Sequence, residues 1–149
     1  AGHAGGALFA SLEFAVARFS PKVLVVVGHS GDEVVHAALQ QVRGAMMPSK
    51  SMRHVLDQVV PSCMKAVSDA DNDSASDETT AGRQLQVEQT ATELNALYTI
   101  KQLLIHSPII RAAAKMGSLE LHAAVLDSST GKVDFVGQHP LVAEILARD

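Results

Sequence analysis

The stretch VLVVVGHSGDEVVHAAL, residues 23–39, decides the fold class. Val23 to Val27 run without polar alternation, which reads as a strand covered on both faces, as in a parallel sheet. Gly28-His29-Ser30-Gly31 is a turn, and a helix begins near Asp32. Ser30 and Glu33 stand at capping-box spacing, and Val35, Ala38, Leu39 and Val42 form one face of that helix.

Working outward, residues 7–19 place Leu8, Leu12, Ala15, Val16 and Phe19 at helical spacing, and Ser20-Pro21 ends that helix. Downstream, the pattern predicts a helix within 48–66, with Met52, Val55, Leu56 and Val59 on one side and Pro61 near its end. Ser68 to Thr80, SDADNDSASDETT, has five acids and no base, and reads as a solvated acidic loop over about 68–82. A long helix follows over 83–106, with Val87, Ala91, Leu94, Tyr98 and Ile105 in register. Ser107-Pro108 breaks it, and a short helix over 109–116 ends at Gly117. Leu119 to Leu126 and Val133 to Val136 are strands joined by the turn Ser128-Ser129-Thr130-Gly131, and residues 140–147 close with a helical turn. The order of elements is that of an α/β fold with at least one parallel crossover. Three strands leave a buried parallel strand short of neighbours, so the sheet looks incomplete.

Composition bounds the function. The 149 residues fit one domain, 1–149; 47% are hydrophobic and 19% charged, which excludes a mainly disordered chain. Aromatic residues are only 3%, so the core must be aliphatic. Twelve bases against sixteen acids, net charge −4, argue against a nucleic-acid partner. Cys63 is the single cysteine, which excludes an internal disulfide and a four-cysteine zinc site. No apolar run approaches the ~18–20 residues that span a bilayer, so the expectation is a soluble, intracellular protein. The start AGHAGG has neither an initiator Met nor the form of a signal peptide. That start suits cleavage after import into a chloroplast or mitochondrion, and a truncated chain would look the same.

Two stretches resemble the β-class carbonic anhydrases. Residues 23–39 are similar to the family's apolar strand, Gly-His-Ser turn and following helix. Residues 93–137, ELNALYTIKQLLIHSPIIRAAAKMGSLELHAAVLDSSTGKVDFVG, resemble its long helix with an Asn, then Ser-Pro, a short helix, Gly, a strand and a Thr-Gly hairpin. AGHAGG with the 7–19 helix resembles the family's Arg-Asn-Ala-Gly-Asn turn and the helix it opens. The resemblance implies a mostly parallel β-sheet flanked by helices, self-association or assembly with other chains, and reversible hydration of carbon dioxide to bicarbonate on zinc. It implies a zinc held by two cysteines and a histidine, because thiolate and imidazole grip zinc tetrahedrally. The fourth position holds an aspartate or a water, and a water there has its pKa lowered towards ~7.

The departures concern the site. The family's His-x-x-Cys pair falls on His29 and Asp32, so the histidine is kept and the cysteine is a carboxylate. The family's Cys-x-Asp-x-Arg motif, on a strand ahead of the Asn-Ala-Gly turn, would fall before Ala1, and the first two strands of the fold fall there too. His29 therefore reads either as a zinc ligand or as a turn histidine bonded to backbone. Asp32 reads either as an oxygen ligand or as a helix N-terminal acid. Glu33, assigned to the capping box, Cys63, as a small core residue, and His3, in the changed turn, are weaker candidates for a third ligand. His36, His54, His106, His122 and His139 show no ligand spacing. The acidic loop lacks the glycine and terminal glutamate of an EF-hand, and AGHAGG lacks the lysine of a phosphate loop. Zinc is expected only if residues outside this chain complete the site, and the chain alone is expected not to hydrate carbon dioxide. The alternative is a degenerate, non-catalytic family member acting as a structural or assembly subunit.

Overall fold

The strand expected at the start of the deciding stretch forms as β1, Val23–His29, and runs two residues further than the apolar block. A computed structural model describes residues 6–46, 49–72 and 79–147. The expectations at Ala1–Gly5, including His3, and at 73–78 lie outside the described residues. Ahead of β1 stands α1 (Gly6–Phe19); after it come α2 (Glu33–Val42), α3 (Lys50–Leu56), α4 (Val60–Asn72), α5 (Thr80–His106) and α6 (Pro108–Lys115). Strands β2 (Glu120–Leu126) and β3 (Val133–Gly137) and helix α7 (Val142–Ala147) complete the order.

The sheet has the order β1-β2-β3. β1 and β2 are parallel, Val23 opposite Glu120 through His29 opposite Leu126, and β2 and β3 are antiparallel. The α/β class holds, with a small, partly parallel sheet. One expectation fails: β1 is covered on one face only. Leu24 and Val26 pack on the core, while Val23, Val25 and Val27 on the other face are 50%, 38% and 53% exposed. β1 is also an edge strand, so its apolar block serves one layer of helices rather than two.

Two aliphatic clusters fill the interior. One joins Val16 of α1, Ile100, Leu103 and Leu104 of α5, Ile110 of α6 and Leu121 of β2, among others. The other joins Val35 and Leu39 of α2, Leu56, Cys63 of α4, and Val87 and Ala91 of α5. Serving both clusters changes the expected stripe on α5. Val87 and Ala91 are buried as read, but beyond them the buried line passes through Thr92, Ala96, Ile100, Leu103 and Leu104, leaving Ile105 exposed. α1 is corrected similarly: Phe9, Leu12 and Val16 face the core, while Leu8 and Phe19 are exposed.

The helix expected over 48–66 is two helices, because Pro61 lies in the first turn of α4 rather than near an end. Proline lacks the N–H that a first turn leaves unused, so it starts a helix more readily than it ends one. The acidic loop is shorter than expected: Ser68 to Asn72 continue α4, and α5 begins at Thr80. Bases from flanking helical residues meet those acids, Lys65 at 2.8 Å from Asp69 and Arg83 at 3.4 Å from Asp71, with Arg83 also donating to the Ala70 carbonyl at 2.7 Å.

The hairpin turn is held by Asp127, whose Oδ1 accepts from the Ser129 amide at 2.8 Å and the Ser129 hydroxyl at 2.7 Å. These bonds, with those from Thr130, hold its carboxyl down at about 2 against an ordinary 3.8. A lowered carboxyl pKa stabilises the fold above the unfolded value, and that contribution is lost as pH falls through the folded value. Protection of the Gly131 amide, which donates to the Asp127 carbonyl, should therefore be constant above pH ~4 and fall between ~4 and ~2. Amide exchange followed by NMR checks this; loss of protection already at neutral pH would contradict it.

Candidate functional site

β1 ends at His29 and α2 begins at Glu33, so residues 30–32 form a turn at the carboxyl ends of the parallel strands. Open α/β sheets present their ligand sites there. The turn is clasped to the end of β2. The Ser30 amide donates to the Leu126 carbonyl at 2.9 Å, the Ser128 amide to the Ser30 hydroxyl at 2.9 Å, and the Ser128 hydroxyl to the Ser30 carbonyl at 3.0 Å.

That clasp occupies the hydroxyl expected to cap α2. The cap is Asp32 instead: with φ −71° and ψ 110°, its Oδ1 accepts from the Val34 amide at 2.8 Å and the Val35 amide at 3.3 Å. Ser30 lies two residues too early to reach those amides, and Glu33, released from the capping box, is an exposed acid in the first turn. Asparagine caps as well as aspartate, so Asp32→Asn should leave stability within ~0.5 kcal/mol, whereas Asp32→Ala should cost ~1 kcal/mol. Urea unfolding of the two variants checks this, and equal losses would contradict the cap.

His29 carries a half-exposed ring. Its Nδ1 lies 3.2 Å from the Ser30 carbonyl, and its Nε2 lies 3.7 Å from Oδ2 of Asp32. With the Nδ1 proton on that carbonyl, Nε2 offers a lone pair on the side of the carboxylate oxygen that the cap leaves over. Zinc bonds of ~2.0–2.2 Å put two tetrahedral ligands roughly 3.4 Å apart, so the pair has the spacing of two corners. The structure thus brings the two predicted residues together and shows Asp32 as the helix cap, with its second oxygen facing His29.

The described residues offer no third donor beside this pair. Among the described residues no group of three or more His, Cys, Asp or Glu converges as a metal would require. Cys63 is fully buried in the second cluster with Sγ 3.9 Å from the Val35 carbonyl, and burial pushes its thiol up to about 11. A thiol so held is not the thiolate that zinc takes. His36 pairs with Glu88 at 2.9 Å, His106 with Gln102, and His122 with Glu120, while His139 accepts from the Leu141 amide and His54 is exposed. Structural zinc sites have four protein ligands and catalytic ones three. The described donors of this chain do not by themselves fit a zinc centre.

One positioning residue was missed in the sequence reading. A Cβ on Gly28 would lie 2.7 Å from the Thr92 methyl, so α5 approaches β1 as closely as glycine allows. The signal was an apolar strand closing on a glycine just before the histidine. Gly28→Ala should cost about 1–3 kcal/mol, and on a Thr92→Ser background, which removes the methyl and keeps a hydroxyl for the Glu88 carbonyl bond, about half of that should return. Thermal unfolding of the four proteins checks it; an unchanged penalty would contradict the close approach.

No curated protein sequence matches the chain. Among solved structures it is similar to one of two tetrameric β-carbonic anhydrases from the filamentous ascomycete Sordaria macrospora, at 24% identity and TM-score 0.67, covering 88% of this chain and 60% of that one. It is also similar to the β-carbonic anhydrase CafA of the fungal pathogen Aspergillus fumigatus, at 22% identity and TM-score 0.68, covering 94% and 60%. A Coccomyxa β-carbonic anhydrase in complex with acetazolamide matches at 22% identity and TM-score 0.65, covering 85% and 52%. The chain thus spans about 60% of the length of the first two. No helix among the described residues is long and apolar enough to cross a membrane. The family model for carbonic anhydrase matches residues 2–133, across the strand, the His29 turn, α5 and the start of the hairpin, and the chain belongs to the β-class carbonic anhydrase family.

Proposed function

We propose that this chain is a β-carbonic-anhydrase-like subunit that does not hydrate carbon dioxide by itself. The observation that carries the proposal is Asp32. It stands where the family places a zinc cysteine, its Oδ1 is committed to the α2 amides, and with His29 it makes two donors where three are needed. The chain's role is then structural, as a subunit that associates with itself or with other chains. A neighbour would cover the half-exposed valine face and open edge of β1, which parallel sheets do not normally leave bare. Equilibrium dialysis against zinc tests the donor count. The expected result is well under one zinc per chain, unchanged in Asp32→Asn; one tightly held zinc per chain, lost in His29→Ala, would overturn it.

The second reading is an enzyme whose Cys-x-Asp-x-Arg comes from a preceding segment or a second polypeptide, with zinc then held partly by His29. The same open edge of β1 favours it, since an added strand there would bring new donors beside the turn. The intact mass of the natural protein, with any sequence upstream of Ala1, separates the two. A Cys-x-Asp-x-Arg found there revives the enzyme, and its absence leaves the scaffold.

A further inference from the structure

Beside the 30–32 turn lies a cavity of about 560 Å³, within the range of small-molecule sites. It is built by the start of α2, the first half of α5, the end of β2 with its following turn, and β3. Val35, Leu85, Val125 and Phe135 give it apolar walls. Its charges have one sign: Asp32, Glu88, Glu93, Asp127 and Asp134 line it, and among the described residues no lysine, arginine or histidine does. Four of these carboxylates are engaged. Asp32 caps α2, Glu88 meets His36 and Gln84, Asp127 holds the hairpin turn, and Asp134 lies 2.7 Å from Lys132. Glu93 is half-buried and makes no hydrogen bond or ion pair among the described residues.

A partly desolvated carboxylate without a partner gains most from an opposite charge placed against it. Bicarbonate or any other anion would meet carboxylates and no base on the described lining. A bare metal ion would need several convergent free oxygens, and the described residues have no such group. The apolar walls call for a ligand with an apolar body. The carboxyl ends of two parallel strands, where α/β sheets take ligands, border the cavity. We propose that this cavity binds a small organic cation, a primary amine or guanidinium on an apolar body, with the cationic group on Glu93 and the body against Val125 and Phe135. Asp32 is shared with the His29 turn, but the proposed cation contact is Glu93 of α5, and the proposal does not rest on the lack of hydration activity.

The test is an NMR titration of the whole chain with 4-phenylbutylamine, 4-phenylbutan-1-ol and 4-phenylbutyrate as probes. The amine should shift the amides of Thr92, Glu93 and Val125 and bind about tenfold tighter than the alcohol, a difference set by one charge contact, while the acid should not bind. Glu93→Gln, at a half-buried surface site with the shape preserved, should bring the amine down to the alcohol's affinity. Glu144→Gln, on α7 and outside the cavity, should leave it unchanged, and unaltered thermal unfolding shows that both variants fold. Equal binding of amine and alcohol, no amine binding at millimolar concentration, shifts confined to another region, or an amine affinity untouched by Glu93→Gln would each overturn the proposal.

Discussion

Truncating Ile100 to alanine is expected to lower the unfolding free energy by about 2–5 kcal/mol. Ile100 is fully buried on α5, in a cluster that also holds Val16, Ile110, Leu121 and Ile145, one residue each from α1, α6, β2 and α7. A chain with only 3% aromatic residues has few large rings to relax into the vacated space, so the cavity would stay open. Four branched or γ-branched neighbours from different elements cannot all shift towards it at once. Measured against a typical total of about 5–15 kcal/mol, the loss is a large fraction of the stability. Ile100→Val should cost only about 0.5–1.5 kcal/mol. Urea unfolding followed by circular dichroism checks both, and a loss below ~1 kcal/mol for the alanine variant would show that the two layers do not depend on this contact.

Ser107→Ala should cost about 2–4 kcal/mol, through one oxygen with two tasks. Ser107 is 1% exposed at the corner between α5 and α6. Its hydroxyl accepts from the Ile110 amide at 3.2 Å, capping α6, and donates to Oε1 of Glu13 at 2.6 Å, which ties α1 to the corner. Loss of the cap contributes about 0.5–2 kcal/mol. Loss of a hydrogen bond to a charged group contributes roughly 1.5–3 kcal/mol, and the two are not fully additive. A double-mutant cycle with Glu13→Ala isolates the second contribution, with an expected coupling of at least ~1.5 kcal/mol. A coupling below ~0.5 kcal/mol would mean that α1 is held by Val16 and its apolar neighbours alone.

The features of this fold legible in the sequence are those set by local pattern. Val23–Val27 could only be a strand, Ser107-Pro108 could only separate a pair of helices, and Ser128–Gly131 between two apolar runs could only be a hairpin turn. Element bounds failed where a local signal has two meanings. A proline occurs near both ends of helices although it suits the first turn better, and Asp69 and Asp71 looked solvated because Lys65 and Arg83, which meet them, lie outside the run. Capping-box spacing at Ser30 and Glu33 could not reveal that Ser128, about a hundred residues on, takes the Ser30 hydroxyl. The one-sided cover of β1 was likewise out of reach, since an apolar run does not say how many layers flank it. For the site, His29 and Asp32 were readable through the resemblance of their turn to the family's His-x-x-Cys pair, and they meet because three residues apart in a strand–turn–helix joint is a local distance. The cavity carboxylates come from the 30–32 turn, α5, the hairpin turn and β3, and their meeting belongs to the tertiary fold.

Asp32 therefore carries the functional account, a helix cap standing 3.7 Å from the His29 ring. Stopped-flow hydration of carbon dioxide by the purified chain, supplied with equimolar zinc, tests that account most directly. The predicted rate is that of buffer with zinc alone, and Asp32→Cys should stay at the same rate because the described residues still offer no third donor. Stoichiometric zinc together with hydration well above the buffer rate, abolished in His29→Ala, would contradict it.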